Sequence, residues 1–205
     1  MPVADGILSS TASRAFATFD PANKGAAIVL SGGNLTATCT LSGTNSGVAM
    51  CTLGKSTGKW YWEITIGTSI PHQVLGVGRN GLNLNQFLGI DSLGWGYTND
   101  IGAPGQKVNG GSFSAYGATY LTTDVIMNAM DLDNGFIYWG KNGTWQNGGV
   151  PTSGGSGTGA AFTIGSGLTF FPAWSSALGP ESATANFGAT AFSFAVPSGY
   201  NAGVF

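Results

Sequence analysis

Apolar and polar residues alternate along this chain in short runs, and each run is closed by glycine, asparagine, serine or aspartate. The clearest run is residues 60–66, WYWEITI. Trp60, Trp62, Ile64 and Ile66 share one face, and Tyr61, Glu63 and Thr65 the other, which is the two-residue period of a β-strand. Residues 35–41 alternate in the same way, with Leu35, Ala37, Cys39 and Leu41 opposite three threonines. Further strands are predicted at 26–30, 73–78, 94–97, 124–132, 136–139, 168–175 and 183–187. No apolar stripe at helical spacing survives the glycines, so no amphipathic helix is expected. Many short strands set apart by turn clusters read as an antiparallel β-sandwich or barrel. Asn134-Gly135 between two apolar runs predicts a hairpin with a type I′ turn, and Asn142-Gly143 marks a second turn. The stretch at 152–159, TSGGSGTG, is low in complexity and predicts a mobile loop, too short to link two domains. The chain therefore divides into an N-terminal arm or edge strand at 1–15 and one domain over 16–205.

Composition narrows the function classes. Only 8% of the 205 residues are charged and the net charge is −2, which leaves no basic surface to neutralise phosphates and argues against nucleic-acid binding. No apolar run is long enough to cross a membrane as a helix, and no secretion signal is visible. The expected location is a virion, on the surface chemistry that follows, and otherwise the cytoplasm, since no secretion signal is seen. A surface of Gly, Ser, Thr and Asn suits close-packed assemblies or contact with neutral glycans, because copies that carry little charge do not repel. Cys39 and Cys51 fall opposite each other if SGTNSG at 42–47 turns a hairpin, so a cross-strand disulfide and two reduced thiols both stay open.

Several stretches together resemble the SPRY domain family. They are GKWYWEITI at 58–66, VLGVGRN at 74–80, LGWGY at 93–97, DVIMNAMDLDNGFIYWGKNGTW at 124–145, FFPAWS at 170–175, ATANFG at 183–188 and PSGY at 197–200. They occur in the family's order and cover roughly residues 16–200. The resemblance implies a jelly-roll sandwich of concanavalin type and a non-enzymatic binding module that holds its ligand on loops at one edge. The opening stretch at 16–40 looks like phage and bacterial members. The expected role is accordingly a phage tail or head fibre component that recognises a host glycan or surface protein. The alternatives are a structural capsid or tail decoration protein and an intracellular peptide-binding adaptor. Expected partners are a glycan, a host surface protein or neighbouring virion subunits, within a homo-oligomer or larger assembly.

Little in the chain points to catalysis. There are two glutamates, and Glu63 has no second acid nearby in its strand to form a glycosidase pair; a hydrogen-bonded acid, with Lys59 or Arg79 as partner, is the simpler reading. The single histidine, His72, has no nucleophile elbow to serve, and with two distant cysteines it matches no zinc spacing. Asp131 and Asp133 could offer oxygens to calcium, but the further ligands of a calcium loop do not follow. No catalytic residue, cofactor or metal is expected. Trp60, Trp62, Phe170, Trp174 and Phe187 are assigned to the core. Trp95, Tyr97, Tyr116, Tyr120 and Trp145 lie near Gly/Asn-rich loops, where a ring can cover a sugar face or pack locally. The candidate ligand surface is His72, Arg79, Tyr97, Asn99, Asp100 and Trp145.

Overall fold

The computed structural model describes residues 14–41, 47–68, 72–99 and 105–205. In chain order its strands are β1 (Phe19–Lys24), β2 (Ile28–Ser31), β3 (Thr36–Cys39), β4 (Gly47–Cys51), β5 (Lys59–Ile66), β6 (Gln73–Gly78), β7 (Gly94–Thr98) and β8 (Gly105–Asn109). There follow β9 (Ser112–Gly117), β10 (Val125–Asp131), β11 (Phe136–Lys141), β12 (Thr144–Trp145), β13 (Phe162–Thr163), β14 (Phe171–Ser176), β15 (Glu181–Asn186) and β16 (Asn201–Ala202). The first sheet runs β1-β4-β14-β6-β7-β8-β9, and the second β12-β11-β10-β5-β15-β3-β2, with β13 added to β11 and β16 to β5. Every pairing is antiparallel except β16 with β5. The fold is an all-β, two-sheet sandwich, one of the two architectures the strand pattern allows and the one the family resemblance implies, and the described residues contain no α-helix.

The alternation in β5 does what it predicts. Trp62, Ile64 and Ile66 point into the core between the sheets, where Ile126, Met130, Ile137 and Trp139 of the same sheet meet Leu75, Val77, Tyr97 and Trp174 of the other. Trp174 and Trp62, with Phe170 and Phe187, are fully buried as expected. Trp60 is only partly buried. It packs edge-on against Phe205 at 5.3 Å and carries the Lys55 ammonium 4.3 Å above its ring. Glycine in VLGVG has a packing reason: a Cβ on Gly76 would lie 2.1 Å from the Trp95 carbonyl oxygen and 3.0 Å from the Trp139 ring.

Both outer faces are also covered. The segment 79–93 lays Leu82, Leu84, Phe87 and Leu88 over Val48, Val74, Val108 and Ala173 of the first sheet. The C-terminal segment lays Phe192, Phe194, Val196 and Tyr200 over Tyr61, Met127, Ala129 and Tyr138 of the second. Glu63 fastens this strap. Its buried carboxylate accepts the Ser193 N–H at 2.8 Å, the Phe194 N–H at 2.9 Å and the Tyr61 hydroxyl at 2.7 Å. These are its partners in place of Lys59 or Arg79.

Three local expectations change. Cys39 lies on β3 of the second sheet and Cys51 on β4 of the first, so the two are not cross-strand neighbours; both are buried, free thiols, and burial pushes Cys51 up to about 12. The proposed turn itself, at 42–46, lies outside the described residues. At the β10–β11 hairpin Asp131 pairs with Phe136, so the loop has four residues and only Gly135 is left-handed. The type I′ geometry belongs to Asn142-Gly143, where both φ angles are positive between the paired Lys141 and Thr144. Residues 152–159 form an ordered turn: Ser153 Oγ accepts the Thr158 N–H at 3.0 Å, and Gly157 sits against the Phe136 ring. Of the N-terminal arm, residues 1–13 lie outside the described residues.

Candidate functional site

The strand directions gather seven connections at one end of the sandwich: β1–β2, β3–β4, β5–β6, β7–β8, β9–β10, β11–β12 and β14–β15. Beneath them lies a buried polar knot. The Gln73 N–H donates to Asn99 Oδ1 at 2.9 Å, and Asn99 Nδ2 donates to the Tyr120 carbonyl at 2.9 Å. The Tyr120 hydroxyl lies 2.9 Å from the carbonyl oxygens of both Gln73 and Tyr97. Gln73 Oε1 accepts from Trp174 Nε1 at 2.8 Å, and Gln73 Nε2 donates to the Thr68 carbonyl at 3.0 Å. The Tyr97 hydroxyl donates to the Ala118 carbonyl. Burial pushes both phenols up, Tyr120 furthest from solvent, so they stay neutral donors. Glu181, also buried, accepts from Ser176 Oγ at 2.6 Å and from the His72 N–H at 3.2 Å. Side chains from several strands thus hold the backbone of the end loops from below.

Above this knot the connection 118–124 presents the most exposed large apolar side chain among the described residues, Leu121, at 54% exposure. Its backbone is fixed on all sides. The Leu121 N–H donates to Asp124 Oδ2 at 2.8 Å, the Asp124 N–H to the Leu121 carbonyl at 3.0 Å, and the Thr123 N–H to the Ile66 carbonyl at 2.8 Å. Lys141 Nζ bridges Asp124 Oδ2 at 2.9 Å and the Thr119 carbonyl at 2.9 Å, while Asn142 Nδ2 donates to Asp124 Oδ1 at 2.6 Å. Burial tends to raise the Asp124 carboxyl, but its bonds from Lys141, the Leu121 N–H and Asn142 outweigh this and hold it below the usual carboxylate range. Within this frame Thr123 adopts φ 75°, a left-handed conformation that costs a β-branched residue on the order of 1–3 kcal/mol. Leu41, 44% exposed, follows β3 at the same end.

The six residues singled out from sequence do not form one surface. His72 and Asn99 are at the loop-rich end, but Arg79 follows β6 at the opposite end. Tyr97 and Asn99 are wholly buried. Tyr97 stacks on Trp139 at 5.8 Å and meets Tyr116 and Tyr120, so these residues are struts, with no atom free to touch a ligand at the surface. Tyr116 and Tyr120, read as loop aromatics, are core for the same reason. Trp145 packs edge-on against Tyr61 on the outer face of the second sheet, next to the strap. Asp100 lies outside the described residues. Leu121 was not singled out, since a leucine after a tyrosine in a loop carries no periodic sign of which one turns outward.

Asp131 and Asp133 are engaged within the protein. Asp131 Oδ2 accepts from Lys59 Nζ at 2.8 Å and Asn134 Nδ2 at 2.8 Å, its Oδ1 accepts the Asn134 N–H at 3.0 Å, and Asp133 Oδ1 accepts the Gly58 N–H at 2.7 Å. They tie the β10–β11 hairpin to the start of β5. Among the described residues no group of three or more His, Cys, Asp or Glu stands together as a metal site.

Comparison with known proteins gives consistent matches. The SPRY domain family profile matches residues 59–190. An ATP-dependent RNA helicase, DDX1 of Xenopus laevis, is 30% identical over 92 residues, 45% of this chain and 12% of the helicase. Ran-binding protein 9 of Homo sapiens is 32% identical over 88 residues, 42% of this chain and 12% of that protein. The chain therefore aligns with only a small part of these relatives. The crystal structure of the SPRY domain of human HERC1 superposes with a TM-score of 0.65 over 82% of this chain and 96% of that domain, at 19% identity, a likeness of fold. The relatives named here are vertebrate proteins and lend nothing to the phage-type reading.

Proposed function

The chain belongs to the SPRY domain family, whose members mediate protein–protein interactions, and we propose from this that it is an adaptor that grips a segment of a partner protein at its loop-rich end. The observation that carries the reading is Leu121, exposed on a loop whose backbone is fixed by Asp124, Lys141 and Asn142 and strained at Thr123. An apolar side chain held rigidly in place loses little freedom on binding, which is how a small contact reaches useful affinity. Local strain kept by such a frame is a mark of binding loops. A peptide segment with an apolar residue and neutral polar neighbours suits the threonine-rich surroundings, Thr119, Thr122 and Thr123.

Panning a displayed random-peptide library on the purified protein tests this. Enriched peptides should lose binding at least about tenfold to the variant Leu121→Asp. They should keep it with Val150→Asp, a change at another exposed apolar residue, 42% exposed, away from this end. Peptides indifferent to Leu121→Asp, or retention of glycans alone on an array, would overturn the proposal. A role on a phage particle has the low charge of the chain in its favour. It requires the protein to be present in purified particles.

A further inference from the structure

The two sheets end in strands of different character. On β1 the exposed edge carries Asp20, Pro21 and Lys24, residues that discourage another strand from pairing. On β2 the Lys24 ammonium donates to the Ile28 carbonyl at 2.6 Å, and β12 has only two residues. Over Ser112–Ala115 of the remaining edge, β9, no such guard stands among the described residues. Its residues Ser112–Ala115 are all exposed, and the chain from 108 to 123 carries no charge.

The backbone groups this edge offers can be assigned. Gly110 and Gly111, both left-handed, form a two-residue turn, so the closing pair Asn109–Ser112 exchanges hydrogen bonds, and Lys107–Ser114 does the same one period on. The N–H and C=O of Phe113 and Ala115 therefore point away from β8, along the free edge. Phe113, 41% exposed, is on the outer face with its ring 6.0 Å from Phe87. Beyond this stretch the edge is closed, since the Ala118 N–H donates to Gln146 Oε1 at 2.8 Å.

We propose that β9 pairs with β9 of a second copy of this chain, antiparallel about a two-fold axis at Ser114. In that register Phe113 faces Ala115 of the other copy and Ala115 faces its Phe113. The outward N–H and C=O groups then satisfy one another, and the first sheets of the two copies become continuous. The charge pattern is what selects a second copy as occupant. An isologous strand pair repeats any charge on both sides of the two-fold axis, so a charge in this short contact would lie within a few residues of its own copy and repel it, and this stretch has none. The contact is small, so the dimer is weak, with dissociation on the order of 10–100 µM.

Sedimentation equilibrium of the full chain, from about 1 to 500 µM, should show reversible monomer–dimer exchange. Ser114→Lys sets two like charges at the axis and should weaken the dimer about a hundredfold without changing the thermal unfolding profile. Ser114→Cys should form an intermolecular disulfide on mild oxidation, because non-hydrogen-bonded antiparallel partners lie about 4.5 Å apart at Cα. The two native cysteines are buried and do not compete. A monomer throughout the range, a dimer unaffected by Ser114→Lys, or failure of Ser114→Cys to cross-link would each overturn the pairing.

Discussion

Asp124 shows how one residue can set the shape of a surface loop. Its carboxylate is bonded to Lys141, Asn142 and the Leu121 N–H, and its folded-state pKa lies below that of the unfolded chain. A group shifted in that direction stabilises the fold above its unfolded pKa and loses that contribution as pH falls through the folded value. Asp124→Asn should therefore lower the melting temperature at neutral pH, and the gap from the parent protein should close as the pH drops through and below the carboxylate range. A difference that persists unchanged into acid would show that the charge is not what matters. At this scale the sequence is a partial guide. Trp62, Trp174, Phe170 and Phe187 are core as their strand parity implies, whereas Tyr97, Asn99 and Tyr120, which look like surface groups among glycines, turn inward and hold loops from beneath. Residue type cannot tell a hydroxyl or amide that meets a ligand from one that meets a buried carbonyl.

Among the elements, β5 is fully legible, because eight residues alternate without interruption. Strands β8 and β9 are not, since GQKVN and SFSAYG lack the branched and aromatic density that marks a strand, and both exist through pairing with β7 and with each other. The β3–β4 segment misleads for a different reason: local symmetry suggests a hairpin, yet the chain crosses from one sheet to the other. The tail FSFAV alternates like a strand but lies as a strap over a sheet face, anchored by Glu63 rather than by a ladder of backbone bonds. Replacing that carboxylate tests the anchor. Glu63→Gln keeps one acceptor oxygen and should cost about 2–3 kcal/mol in chemical denaturation. It should also speed hydrogen exchange at 190–196 more than in the core strands. Uniform loss across the molecule, with no excess at the strap, would count against a local clasp.

At the scale of the whole molecule, the sandwich and its family are readable from the order of the aromatic and turn motifs, because all but the C-terminal PSGY lie on or next to strands that build the two sheets. The loops to which the proposed partner contact is assigned are less readable, since they are what those motifs leave over. Near Arg14, where the described domain opens, the chain meets its last residues. The Ala17 N–H donates to the Val204 carbonyl at 2.7 Å, the Phe16 and Phe205 rings lie 5.7 Å apart, and the Arg14 guanidinium sits 3.5 Å over the Phe205 ring. Residues 14–17 and 204–205 are thus neighbours, and a short bridge between Arg14 and Phe205 should be silent. A circular permutant of residues 14–205 that joins Phe205 to Arg14 through a few glycines and opens at the exposed Ser166–Gly167 turn should fold with its melting temperature within about 5 °C of the unpermuted 14–205 domain. The same adjacency means that the unit can be spliced into an interior loop of an unrelated host protein, which would feel it as an insertion only a few ångströms wide at its base.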